Sequence, residues 1–141
     1  MFLDASVVAA VLLQEEDGPA FLKAMEAARG TLRYSPIVRL EATLALVRKR
    51  VERRGKGPAT AEDFAAATDL VDELLKALEA KEMHITGSMG AEAIRALSVY
   101  GKVVGHPAQL NMGDALSYAC AKAFHVPLLY KGDDFSQTDL A

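Results

Sequence analysis

LNMGDALSYACAKAFHVPLLYKGDDF, from Leu110 to Phe135, is the stretch whose reading decides the fold. Asn111 is suited to cap a helix, Gly113 and Asp114 fall in its first turn, and Ala115, Leu116, Ala119, Cys120, Ala123 and Phe124 recur at helical spacing. Pro127 ends that helix. Leu128, Leu129 and Tyr130 then read as a buried strand that stops at the turn Lys131-Gly132-Asp133-Asp134. Acidic groups therefore flank one helix–strand unit.

Upstream, Met1-Phe2-Leu3 is a short apolar strand running into Asp4, and Ser6 opens a helical segment over Val7–Gln14. Asp4 suits a helix N-cap, and it also stands at the carboxyl end of a strand, where open parallel sheets bind ligands. Asp17-Gly18-Pro19 starts a second helix, Ala20 to Arg29, and Thr31–Tyr34 forms a second strand. Ser35-Pro36 is a strong helix start, and Ile37, Leu40, Leu44, Val47 and Val51 form the apolar stripe expected to face the core. Glu41 lies on that stripe. An isolated buried charge is expensive, so Glu41 is paired, sits at the stripe's edge, or has a functional role.

Gly55-Lys56-Gly57-Pro58 is a loop, and Ala59–Lys81 reads as a long helix. Its expected register turns Phe64, Ala67, Val71, Leu74, Leu75 and Leu78 inward and Glu62, Asp63, Asp72, Glu73 and Glu79 outward. Met83-His84-Ile85 suits a third strand and Ala91–Tyr100 a further helix, followed by a loop from Gly101 to Leu110. Strands alternating with helices predict an α/β fold whose parallel sheet is covered on both faces.

The chain has 141 residues, a length suited to one domain with a sizeable core, and 51% of them are hydrophobic. That apolar content suggests surface covered by a partner. No run is long enough to span a membrane, and the N-terminus lacks the basic start of a signal peptide, which leads to the expectation of a cytoplasmic protein. Cys120, the single cysteine, suits a small core position. The net charge of −3 gives no overall basicity from which to argue nucleic-acid binding. Arg48, Lys49, Arg50, Arg53, Arg54 and Lys56 nevertheless crowd together, as a solvated helix end or as a phosphate-contacting patch.

In a parallel sheet Asp4 and the Asp133/Asp134 pair emerge on the same edge. Asp114 joins them only if its helix starts beside that rim, which the sequence leaves open; if it does and Glu41 also leans inward, the carboxylates would repel one another, so that some take up protons or a cation sits among them. Histidines 84, 106 and 125 are dispersed and Cys120 is alone, which disfavours zinc; carboxylate and water ligands suit Mg²⁺ or Mn²⁺. Such ions favour phosphodiester hydrolysis. The chain contains no GxSxG elbow, Walker loop or GxGxxG turn.

Phe2-Leu3-Asp4-Ala5-Ser6, the Ser35-Pro36 helix with Glu41, the Leu110–Ala115 element and Leu128–Phe135 together resemble, in order and across nearly the whole chain, a PIN-domain ribonuclease. More narrowly they are similar to the VapC toxins of bacterial type II toxin–antitoxin systems. The resemblance implies a three-layer α/β/α domain over residues 1–141 and endonucleolytic cleavage of RNA, often tRNA or ribosomal RNA. It also implies Mg²⁺ or Mn²⁺ as cofactor, a homodimer, and inhibition by a VapB-type antitoxin. By position it makes Asp4, Glu41, Asp114 and Asp134 catalytic, with Asp4, Asp114, Asp133 and Asp134 available to metal. Which of Asp133 and Asp134 is the inner ligand stays open. Ser6 and Asn111 become the residues that orient carboxylates or water, and Arg48, Arg50, Arg53 and Arg54 become RNA contacts. Many relatives carry Thr or Ser just before the final acid, where this chain has Tyr130-Lys131. A non-catalytic PIN-like module that binds RNA or protein, and a structure-specific DNA nuclease, are the competing readings.

Overall fold

The computed structural model describes residues 1–55 and 57–140, so Lys56 of the basic run lies outside the described residues. The elements follow the expected alternation. They are β1 (Phe2–Leu3), α1 (Ala5–Leu12), α2 (Gly18–Ala27), β2 (Arg33–Tyr34), α3 (Pro36–Arg54), α4 (Ala61–Ala77), β3 (Lys81–Glu82), α5 (Gly87–Tyr100), α6 (Met112–Ala123) and β4 (Leu128–Leu129). Short 3-10 turns cover Lys102–Val104 and Asp134–Gln137. The four strands form one parallel sheet in the order β3-β2-β1-β4, the centre of a three-layer α/β/α domain.

Local chemistry fixes most of the helix starts. The side chains of Asp4, Ser35, Thr60, Thr86 and Asn111 each accept a backbone N–H in the first turn of the helix they precede. Caps of this kind contribute about 1 kcal/mol each. Burial orients the elements further. Phe2 and Leu3 on β1 are fully buried, and Val7, Val8, Met25, Val38, Leu46, Val71 and Ala119 pack around them from the flanking helices.

Three expectations are corrected. The buried stripe of α3 is Val38, Ala42, Leu46 and Val47; Ile37, Leu40 and Leu44 instead line a cavity, and Leu40 is 51% exposed. Both stripes are apolar in Pro36–Arg54, so periodicity alone could not choose between them. On α4, Phe64 turns outward while Asp63, expected in solvent, is 1% exposed. The third strand is Lys81–Glu82 rather than Met83–Ile85, an exposed edge strand held by backbone pairing to β2 that shows no apolar signature.

Candidate active site

The sheet order turns around at β1, which pairs with β2 on one side and with β4 on the other. Ligand crevices in open parallel sheets form at the carboxyl ends of strands beside such a switch point. Asp4 stands there, one residue past β1 and 6% exposed. Its Oδ2 accepts the backbone N–H of Ser6 at 3.1 Å and the Ser6 hydroxyl at 2.6 Å, and its Oδ1 accepts the Ser117 hydroxyl at 2.8 Å. Ser6 Oγ also accepts the N–H of Lys131 at 3.0 Å, tying the start of α1 to the chain leaving β4.

Glu41 arrives from α3 and Asp114 from the first turn of α6. With Asp4, both line a cavity of about 400 Å³ walled by Ile37, Leu40, Leu44 and Met112, with Arg48 at its margin. α6 leads directly into β4, so its N-terminus lies at the carboxyl edge of the sheet; this settles the placement of Asp114. Asp114 and Asn111 form a reciprocal cap, Asn111 N–H donating to Asp114 Oδ2 at 3.0 Å and Asp114 N–H to Asn111 Oδ1 at 2.9 Å. Glu41 reaches the same helix end only because Gly113 has no side chain; a methyl group there would overlap the Glu41 carboxylate.

Burial pushes Glu41 up to about 7, and the charges of Asp4 and Asp114 add to the shift, with Arg48 opposing it. Asp114 is pushed up to about 6 chiefly by burial, against the Asn111 N–H, with the charges of Asp4 and Asp134 adding to the rise. Of the two acids after β4, both exposed, Asp134 is the one whose charge adds to the rise of Asp114, and the Asp133 carbonyl accepts the Ser136 hydroxyl. Phe135, buried against Tyr130 with ring centroids 4.9 Å apart, anchors this turn.

Two features were not legible from the sequence. Ser117 is buried on α6 and grips Asp4; its only sequence signal is a hydroxyl among small residues, three positions after Asp114. Arg50 and Arg54 are engaged with Asp63. Arg54 holds both Asp63 oxygens, at 2.7 and 2.9 Å, and Arg50 Nε donates to Oδ1 at 3.2 Å. Among the described residues Arg48 and Arg53 form no ion pair, and of the basic run only Arg48 borders the acidic cavity. His84 and His125 are exposed loop residues, and His106 Nδ1 accepts the Ala108 N–H.

A larger cavity, about 520 Å³, lies between α5 and α6, but its charges are paired with one another: Arg95 with Glu92, and Lys122 with Asp139. The acidic cavity has no such neutralisation. Its donors are hard carboxylate oxygens, two of them raised chiefly by burial and further by their neighbours' charges, and carboxylate oxygens are the ligands a divalent cation such as Mg²⁺ takes. Among the described residues no three His, Cys, Asp or Glu side chains are gathered closely enough to form a coordination shell.

The fold and site together define a parallel α/β domain with a carboxylate-lined cleft at its switch point. The PIN domain family matches residues 1–140, and the chain belongs to it. Within that family it is 46% identical to a VapC ribonuclease of Rhizobium meliloti, covering 99% of this chain and 98% of the relative. It is 31% identical to ribonuclease VapC42 of Mycobacterium tuberculosis, over 99% and 96% of the two chains. The crystal structure of VapC20 of M. tuberculosis, a toxin that cleaves the sarcin-ricin loop, superposes with a TM-score of 0.68. That match has 15% identity over 96% of this chain and 92% of the other, and it bears on the fold.

Proposed function

We propose that the protein is a metal-dependent endoribonuclease and the toxin of a toxin–antitoxin pair, hydrolysing phosphodiester bonds in tRNA or ribosomal RNA. The observation that carries this reading is the convergence of Asp4, Glu41 and Asp114, from three separate elements, on one cavity where two of them are raised by burial and mutual repulsion. The names of the similar proteins support RNA as substrate.

Asp4, Asp114 and Asp134 would hold Mg²⁺ or Mn²⁺, with Asp133 within the same turn. When bound, such an ion supplies charge neutralisation at phosphate and a more acidic water. Glu41, with a pKa of about 7, can take up a proton near neutral pH, where general acid–base groups work best. Ser6 fixes the rotation of Asp4 and Asn111 that of Asp114. Arg48 can meet a flanking phosphate at the rim, and Arg53 can extend that track; Arg50 and Arg54 contribute to RNA contact only through the guanidinium edges that Asp63 leaves open. No helix among the described residues is long and apolar enough to cross a membrane. We place the toxin in the cytoplasm, bound by a VapB-type antitoxin. A second copy would cover Ile94 and Val103, which are 72% and 87% exposed.

The test is incubation of purified protein with total cellular RNA across Mg²⁺ and Mn²⁺ titrations, with EDTA, Asp4→Asn and Asp114→Asn controls. Cation-dependent cleavage that both substitutions abolish is expected. Undiminished cleavage by both variants removes this site, and a wild-type protein inert at every ion concentration favours a binding module. Preference for DNA flaps over RNA would assign a DNA nuclease instead. Expression alone should arrest bacterial growth, and co-expression of the neighbouring small open reading frame should relieve it.

A further inference from the structure

A serine buried inside a helix ordinarily returns its hydroxyl to a carbonyl of the preceding turn. This chain contains that arrangement in Thr43, whose hydroxyl donates to the Arg39 carbonyl at 2.8 Å. Ser117 does otherwise. It is 1% exposed, between Ala115 and Ala119 on α6, and its hydroxyl donates across the fold to Asp4 Oδ1 at 2.8 Å. Alanine is the better helix former and carries no polar group to desolvate, so the local energetics of α6 give no reason for the hydroxyl. Its effect is on the site. Ser6 on α1 fixes one oxygen of Asp4 and Ser117 on α6 fixes the other, and Ser117 lies one helical turn from Asp114 on the same element. One hydrogen bond therefore ties the helix carrying Asp114 to the carboxylate leaving β1.

We infer that Ser117 is a positioning residue: its hydroxyl sets the rotation of the Asp4 carboxylate and the spacing between Asp4 and Asp114, and thereby the affinity of the site for a divalent cation. The inference rests on the metal-dependent reading above. Partners that orient ligands in this way typically change metal affinity by about 10–100-fold when removed.

The experiment measures Mn²⁺ binding calorimetrically for the wild-type protein, Ser117→Ala, Ser117→Cys, Asp4→Asn and Val71→Ala, with the Tm of each. Ser117→Ala and Ser117→Cys, two independent ways of losing a strong donor, should bind Mn²⁺ about 10–100-fold more weakly. Val71→Ala truncates the core on α4, which carries none of the carboxylates, and should lower Tm while leaving the Mn²⁺ affinity unchanged. Wild-type affinity in whichever Ser117 variant folds overturns the proposal, as does an equal loss in Val71→Ala, which would make the effect one of general stability. Equal Mn²⁺ binding by the wild-type protein and Asp4→Asn overturns the metal reading itself and the Ser117 proposal with it; that failure is told apart by the Asp4→Asn arm.

Discussion

The chain withdraws carboxylates from water in two places and treats them in opposite ways. Asp63, at the start of α4, is almost wholly buried, but Arg54 grips both its oxygens, Arg50 adds a third contact and the Thr60 N–H a fourth. Those donors, the Arg54 guanidinium foremost, hold its carboxyl well below the usual carboxylate range. Asp4, Glu41 and Asp114 meet at the sheet edge with one arginine at the rim, and Glu41 and Asp114 are pushed upward. The same functional group closes the α3–α4 hairpin where its charge is answered within the chain, and leaves an unanswered field where it is not. Unanswered charge in a cleft is the mark of a site built to receive something.

The comparison can be broken most severely at the cleft. Asp114→Asn should reduce RNA cleavage by about a thousandfold or more, read by gel assay, with an unchanged far-UV spectrum. Gly113→Ala tests the close approach of α6 to α3. Its methyl displaces the Glu41 carboxylate, a flexible side-chain end, and cleavage should fall by about a hundredfold while Tm stays within a few degrees. At the other carboxylate the effects reverse: Asp63→Asn leaves two arginines without their counter-charge and should lower Tm by several degrees while cleavage under native conditions changes less than about twofold.

The smallest effects are in pH dependence, and they have opposite signs. Asp63 is depressed in the folded state, so the stability it contributes is present above the ordinary carboxylate range and is lost as pH falls through it. Glu41 and Asp114 are raised from 4.5 and 3.8 to about 7 and about 6, so the folded chain keeps protons there that the unfolded chain releases. Their contribution falls as pH rises through that interval. In EDTA, Glu41→Gln should flatten the decline of Tm between about pH 5 and pH 8. An unchanged slope would show that Glu41 is not the group withholding its charge.

What the sequence by itself determined is local. Caps at Asp4, Ser35 and Asn111 and the apolar runs of β1 and β4 depend on interactions within a few residues, and they placed the elements and the acidic positions in order, although α6 ends at Ala123 with a left-handed His125 rather than at Pro127. The inner face of α3 escaped that reading because Ile37, Leu40 and Leu44 are as apolar as Val38, Ala42 and Leu46; only the packing of α3 against its neighbours separates cavity wall from core. The arginine run looked like one basic patch because Asp63, which engages two of its members, lies on the far side of a loop. Tertiary structure alone decided that Asp114 shares a cavity with Asp4 and Glu41, and that Ser117 reaches Asp4 from 113 positions away. Electrostatic coupling and side-chain hydrogen bonds act through space, over distances that sequence separation does not encode.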